Sequence, residues 1–364
     1  MDSWKLAAGE DSGVRVAAAE ALESIVKRVG STEKETRVDA AREIRRLTKT
    51  SARHRRHLSG AIEPLVRMLR DEKPECNEVA ILALLNLAVK DERNKIKIID
   101  AGALDPLIFF LQSTNSNLQE YATAALLTLS ATSVNKPIIS STNAILLLVK
   151  ILNDGSPQSR IDSIMALYNL STIPGNLETI LGSQTIPSLI TVLKSCKKSS
   201  RTAEKCCAIL ESLAVFDDGR IALISEEGGV LALVEVIEDG SLRGREYAVG
   251  ALLTMCESDR NRYREIILKE GVIPGLLELT VHGTPKSQLK SKKLLHLLRK
   301  SPYQRSELEA DALENIVCSI ASRMDGEDCA GNAKKMLAEM VQVSMEQSLR
   351  HLNQRALVCT PAKK

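Results

Sequence analysis

Residues 60–101 read GAIEPLVRMLRDEKPECNEVAILALLNLAVKDERNKIKIIDA, and this stretch decides the fold. It opens with a short Leu-rich segment, crosses a polar loop at residues 71–74, and continues into a longer run. In that run small and large apolar residues recur at helical spacing. Residues 102–142 repeat the same order as GALDPLIFFLQSTNSNLQEYATAALLTLSATSVNKPIISST. The sequence therefore contains a helical unit that occurs at least twice in succession.

Four further segments open in the same way as these two. The six openings begin at Gly60, Gly102, Asn143, Gln184, Gly228 and Gly271. They lie 41 to 44 residues apart, which is a spacing typical of helical repeat proteins. Because a unit of this size cannot bury its apolar face alone, we predict that neighbouring units stack into one continuous core.

Composition favours helices and limits the possible classes of function. Hydrophobic residues make up 44% of the chain but aromatic residues only 2%, so the core must consist of Leu, Ile, Val and Ala. A net charge of +3 is too small to imply nucleic-acid binding by itself. The eight cysteines form no CxxC pair, which indicates reduced thiols in a cytoplasmic or nuclear protein. No apolar run approaches the roughly 18 residues that a membrane span needs.

The repeated unit resembles the armadillo repeat. Its motif is Gly-Ala-Ile-x-Pro-Leu-Val, then a long helix ending Ala-Leu-x-Asn-Leu-Ser, then Asn-Lys and an Ile. Residues 40–49 (AAREIRRLTK), 119–122 (QEYA), 135–136 (NK) and 339–348 (EMVQVSMEQS) are similar to the armadillo region of plant U-box ubiquitin ligases and of relatives without a U-box. The resemblance implies an all-α fold, a right-handed α-solenoid of armadillo repeats with helical caps.

We predict three regions along the chain. Residues 1–35 form an N-terminal tail and a capping helix, because the terminal repeats of an array need polar covers. Residues 36–303 form the armadillo array, with a partial first repeat before the start near residue 60. Residues 304–364 form a C-terminal helical extension. This extension is interpreted either as a cap on the last repeat or as a Met-rich docking or self-association helix.

The third helix of each armadillo unit lines a concave groove that holds extended peptides, and the resemblance implies the same groove here. Aligning the third helices by their Ala-Leu-x-Asn-Leu ending places one residue per repeat at the Asn position, with others one and two turns earlier. The predicted partner groove consists of Arg42, Arg46, Asn86, Tyr121, Thr128, Asp162, Asn169, Lys205, Tyr247, Thr254, Lys292 and His296. Asn suits such a site because its amide offers a donor and an acceptor to a peptide backbone.

The predicted groove is basic at both ends. Arg42 and Arg46 lie at the N-terminal end, and Lys290, Lys292, Lys293 and His296 lie at the C-terminal end. We therefore expect a protein partner with acidic or phosphorylated segments, which arginine binds in a bidentate manner. The alternative is that these charges only solvate helix faces. A carrier of basic nuclear-import signals is not expected, because such carriers line the groove with Trp and the single Trp4 lies outside the array.

No catalytic or cofactor motif is present in the sequence. The five histidines are scattered, and no HExxH, GxSxG, phosphate-loop, paired zinc-ligand or U-box-like segment occurs. We therefore predict a non-enzymatic scaffold without cofactor or metal that binds an extended segment of a protein partner. One alternative is a substrate receptor or adaptor in ubiquitination that acts with a separate E2 and ligase. Another is nucleic-acid binding through the basic residues 42–57, which the absence of aromatic side chains there disfavours.

Two substitutions are expected to test the groove. Arg46→Glu and Asn169→Ala should each weaken partner binding, because both residues occupy the aligned Asn position. The helix content and the melting temperature should stay unchanged in both variants.

Overall fold

The computed structural model describes residues 20–299, and these residues form only helices and their connections. The prediction of an all-α fold is confirmed. Residues 1–19 of the predicted N-terminal tail and capping helix (residues 1–35) lie outside the described residues. The same holds for residues 300–303 of the predicted array and for the predicted C-terminal extension at residues 304–364, which contains the motif at residues 339–348.

The helices follow one another with short connections. In chain order they are α1 (residues 20–29), α2 (Lys34–Thr48), α3 (Ala52–His57), α4 (Ile62–Met68), α5 (Pro74–Ala88), α6 (Glu92–Asp100), α7 (Leu104–Leu111), α8 (Ser116–Ser130), α9 (Asn135–Ser140), α10 (Ala144–Asp154), α11 (Pro157–Ser171), α12 (Gly175–Gly182), α13 (Thr185–Ser195), α14 (Arg201–Leu213), α15 (Asp217–Ser225), α16 (Gly229–Asp239), α17 (Leu242–Ser258), α18 (Arg260–Lys269), α19 (Ile273–His282) and α20 (Pro285–Leu298). A short 3-10 helix, Leu58–Ala61, precedes α4.

Every third helix in this series is a long one, and these long helices are the third helices of the repeats. A repeat thus consists of a first helix such as α6, a second helix such as α7 and a third helix such as α8, and the openings at Gly60 and Gly102 stand before second helices. The chain divides into two compact units between Ser188 and Leu189, inside α13. In the first unit the third helices α2, α5, α8 and α11 pack against one another in that order. In the second unit α14 packs against α17, and α17 packs against α20.

Left-handed backbone turns lead into several of the second helices. Gly102, Gly228 and Gly271 have φ values of 82°, 67° and 77°, which glycine adopts without steric cost. Gln184 stands at the same point of its repeat with a φ of 54°, although it carries a side chain. The glycines at these openings therefore serve the turn from the first helix into the second helix.

Four third helices, α8, α11, α17 and α20, are joined to the third helix before them through their N-caps. Asn115, Ser156, Ser241 and Thr284 accept backbone N–H groups at the starts of α8, α11, α17 and α20. Their side chains also donate to a glutamate one repeat earlier, namely to Glu78, Glu120, Glu204 and Glu246, respectively. One side chain thus caps a helix and couples two neighbouring repeats.

A second series of polar contacts is made by buried asparagines of the first helices. Asn94, Asn135 and Asn176 each donate from Nδ2 to a carbonyl near the end of the third helix before it. The accepting carbonyls belong to Leu87, Leu129 and Leu170, which are equivalent residues of successive repeats. Gly219 occupies the same position in the second unit, where a Cβ atom would lie 2.1 Å from the carbonyl oxygen of Leu213.

The described cysteines belong to the apolar interior. Cys76, Cys206, Cys207 and Cys256 are buried free thiols, and Cys196 is a partly exposed free thiol. Burial raises the pKa of the Cys256 thiol to about 11 and also raises that of Cys206. The thiols of Cys206 and Cys256 are therefore protonated at neutral pH and contribute to the core as small apolar groups. Cys318, Cys329 and Cys359 lie outside the described residues.

Candidate partner-binding surface

The third helices of the first unit present one residue each at the aligned Asn position. These residues, which we name the first-unit row, are Arg46, Asn86, Thr128 and Asn169. Arg46 is exposed and the other three are partly exposed. Because α2, α5, α8 and α11 are packed in order, the row crosses four neighbouring helices.

The two asparagines of the row are held by the helix before them. Asn86 Nδ2 donates to the carbonyl of Arg45 on α2 at 2.8 Å. Asn169 Nδ2 donates to the carbonyl of Leu127 at 3.3 Å and to Ser130 Oγ at 3.1 Å, both on α8. Within residues 20–299, no hydrogen bond is made to Oδ1 of either amide, so these oxygens remain as acceptors for a partner.

The hydrogen bonds of Asn169 change one expectation from the sequence. Its amide links α11 to α8, so truncation to alanine removes two contacts between repeats as well as a groove side chain. Each such bond contributes about 1 kcal/mol to stability. Asn169→Ala should therefore lower the melting temperature, and this prediction replaces the unchanged melting temperature expected from the sequence.

The arginines at the start of the row differ in how they are paired. Arg42 is exposed but forms ion pairs with Glu75 at 3.0 Å and with Asp39 at 3.3 Å. Arg46 forms no ion pair with any residue that the structure describes. At the basic end predicted from the sequence, the guanidinium of Arg46 can therefore bind an anion without first breaking an ion pair.

Asp162 is buried within the first unit and is not accessible to a partner at its surface. Its exposed fraction is 8%, and Oδ1 accepts a hydrogen bond from Gln158 Nε2 at 2.9 Å. Burial raises the pKa of the Asp162 carboxyl, Gln158 opposes this rise, and the charge of Glu120 adds to it. Tyr121, one repeat earlier at the same position of the third helix, is partly exposed.

The predicted residues of the second unit also divide into buried and open ones. Lys205 is buried and pairs with Glu204 at 3.1 Å. Tyr247 and Thr254 on α17 are partly exposed. On α20, Lys292 and His296 are exposed and form no ion pair within the described part of the chain.

Lys290, which the sequence placed at the basic C-terminal end, is already paired. Its Nζ lies 2.6 Å from Oε1 of Glu211 on α14. The pair joins residues 79 positions apart in the sequence and skips the repeat between them. Spacing along the chain gives no signal for such a contact, so sequence reasoning missed it.

Some basic side chains of residues 42–57 make contacts within the fold. Arg55 is buried and donates from Nη1 to the carbonyl of Thr48 at 2.8 Å. His54 Nδ1 lies 3.2 Å from the carbonyl of Leu47. These two side chains are therefore not available to phosphate groups, which further weakens the nucleic-acid interpretation.

Residues 20–299 contain neither a metal-binding cluster nor a helix that could span a membrane. No group of three or more His, Cys, Asp or Glu side chains there could hold a metal ion. No described helix has the length and apolar character that crossing a bilayer requires.

Comparisons with known proteins agree on one family. The family model described as the plant U-box protein ARM repeat region matches residues 18–318. U-box domain-containing protein 45 of Arabidopsis thaliana is 30% identical over 246 residues, which cover 66% of this chain and 31% of that protein. U-box domain-containing protein 17 of the same plant is 32% identical over 267 residues, which cover 72% of this chain and 36% of that protein. The chain thus spans about a third of the length of these relatives.

The fold also has a counterpart among solved structures. The crystal structure of an engineered protein superimposes with a TM-score of 0.67 and covers 93% of this chain and 80% of that protein. Sequence identity between the two is 22%, so the similarity concerns the fold alone.

Proposed function

The chain belongs to the family of plant U-box protein armadillo-repeat regions, and from this premise we propose that it is a non-enzymatic scaffold for a protein partner. The partner contributes an extended segment, which binds across the third helices. The observation that carries this proposal is the first-unit row, in which four packed helices each present an open or partly open polar side chain.

Simple dimensions support an extended segment as the ligand. Packed helix axes lie about 8–10 Å apart, and an extended chain advances about 3.3 Å per residue. About three residues of the partner therefore match each repeat, and about ten residues span the row. Backbone N–H groups of the segment would donate to Oδ1 of Asn86 and of Asn169. A carboxylate or phosphate at one end of the segment would bind Arg46.

A peptide selection tests the proposal. Random twelve-residue peptides displayed on phage are selected on the wild-type chain, and the selected sequences are measured as labelled synthetic peptides. We expect Arg46→Glu to weaken their binding by about tenfold or more, because a charge-assisted bond is replaced by repulsion. Asn169→Ala should weaken binding as well. Because this variant should melt at a lower temperature, its binding is measured well below its melting temperature.

Arg45→Glu is the matched control for this experiment. Arg45 is exposed, lies in the same last turn of α2, and makes no side-chain hydrogen bond or ion pair with a described residue. The substitution changes the charge equally but about 100° around the helix. Peptides that bind Arg46→Glu as well as they bind Arg45→Glu would place the binding surface elsewhere.

Family membership also supports a role in ubiquitination as a second candidate. In this role the chain is a substrate receptor or adaptor that works with a separate E2 and ligase. The support is that its relatives are U-box domain-containing proteins. Purified chain is incubated with E1, E2 and ubiquitin, with and without an added U-box ligase. We expect ubiquitin to be transferred to a captured partner only when both the ligase and the chain are present. Transfer without the ligase would contradict the non-enzymatic role.

The proposed place of action is the cytoplasm or the nucleus. Buried free thiols at Cys76, Cys206 and Cys207 support this, because reducing compartments preserve them. A fluorescent fusion that accumulated in the secretory pathway would contradict it.

A further inference from the structure

An ion pair lies across the third helices of the second unit. Lys290 on α20 reaches Glu211 on α14 at 2.6 Å, although α17 packs between these two helices. Lys290 Nζ also donates to the backbone carbonyl of Glu246 on α17 at 3.2 Å. Both side chains of the pair are 25% exposed, so solvent or a partner can reach them.

Gly250 of α17 makes room for this pair. A Cβ atom at this position would lie 1.8 Å from Glu211 Oε1 and 2.7 Å from Lys290 Nζ. Gly250 stands one helical turn before Thr254, on the face that the sequence assigns to the partner groove. The missing side chain therefore leaves a depression on this face, and the protein's own ion pair fills it.

The carboxylate in this depression is only partly compensated. Burial raises the pKa of Glu211, and the charge of Glu246 adds to the rise. The hydrogen bond and the charge of Lys290 oppose it, as does the charge of Lys286. When desolvation offsets much of the attraction in this way, a partly buried ion pair contributes little net stability. An external carboxylate that replaces Glu211 keeps the Lys290 ammonium paired, and the 25% exposure of Glu211 lets the displaced carboxylate turn to solvent.

We propose that Glu211 is an internal occupant of a carboxylate-binding position, and that an acidic side chain of the partner segment displaces it to bind Lys290. This inference rests on the proposed function, because it assumes that the partner crosses the third helices. The surrounding charge fits an acidic segment, since Lys286, Lys292 and Lys293 of α20 are exposed and form no ion pair within residues 20–299.

The probe is a fluorescein-labelled twelve-residue peptide of alternating Glu and Ser, measured by anisotropy on the full chain at low salt. Glu211→Gln keeps the shape of the side chain but removes the competing charge. We expect this variant to bind the probe about tenfold more tightly than the wild type, as for the gain of one charge-assisted bond. In the double variant Glu211→Gln/Lys290→Gln the gain should disappear.

Glu227→Gln is the matched control. Glu227 is exposed in the connection between α15 and α16, and its side chain forms no ion pair with a described residue. This variant has the same net charge as Glu211→Gln and should bind the probe like the wild type. Circular dichroism and melting curves of all variants establish that each is folded.

Two results would overturn the inference. One is equal binding of the probe by Glu211→Gln and the wild type, including no binding by either. The other is a gain in affinity that persists in the double variant, because Lys290 would then not be the receiving group. Binding of the selected peptides to the wild type and to Arg46→Glu tests the proposed function separately. That measurement reports on the first unit and does not involve this ion pair, so the two failures can be told apart.

Discussion

Truncation of a buried first-helix asparagine should destabilise the array strongly. Asn135 has an exposed fraction of 0%, and its Nδ2 donates to the carbonyls of Lys95 at 3.1 Å and of Leu129 at 3.2 Å. The first carbonyl belongs to the first helix of the preceding repeat, and the second belongs to the third helix α8. Asn135→Ala removes both contacts together.

The expected loss follows from these two hydrogen bonds. At about 1 kcal/mol for each bond, the free energy of unfolding should fall by about 2 kcal/mol. The loss does not rise further, because the buried Oδ1 of Asn135 has no hydrogen-bond partner and its removal relieves a small cost. With a urea dependence of about 3 kcal/mol per M, the unfolding midpoint should fall by about 0.7 M.

The assay is urea unfolding followed by far-UV circular dichroism, with Asn143→Ala as the control. Asn143 is exposed at the N-cap of α10 and makes no side-chain capping bond, so its truncation should change stability by less than about 0.5 kcal/mol. A midpoint of Asn135→Ala within error of the wild type would refute the role of the buried amide. Equal losses from both variants would refute it as well.

Three further substitutions test other features of the structure. Asp162→Asn should raise the melting temperature at pH 7. Because burial raises the pKa of this carboxyl, its own contribution to stability is greatest below its unfolded pKa of about 3.8 and is lost as the pH rises through the raised value. A gain from the substitution that is the same at pH 3.5 and pH 7 would contradict this. Gln184→Gly should stabilise the protein by about 0.5–1 kcal/mol, since glycine relieves the φ of 54°, and a lower unfolding midpoint would count against this. Gly250→Ala should separate Glu211 from Lys290 and raise the pKa of Glu211 further, as followed by NMR titration of its carboxyl carbon; an unchanged titration would show that the pair survives.

Local patterns were sufficient to predict the fold class and the alignment of repeats. The spacing of apolar residues predicts helices, and the recurring openings indicate that the units are equivalent. Aligning the third helices by their common ending therefore identified positions that are open in the structure, such as Arg46 and Asn86. These inferences need only the helical period and the length of the repeat, which one chain displays directly.

The sequence by itself determined that this protein is a stack of helical repeats and which residues recur at each position. Only the tertiary structure decided what those residues do. Asn169 binds the preceding helix, Asp162 and Lys205 are buried, and Lys290 reaches a glutamate two repeats away. The physical reason is that a helical pattern defines a side chain's direction relative to its own axis, whereas its neighbours depend on how separate helices pack. A depression such as that at Gly250 arises from that packing, and no local pattern encodes it.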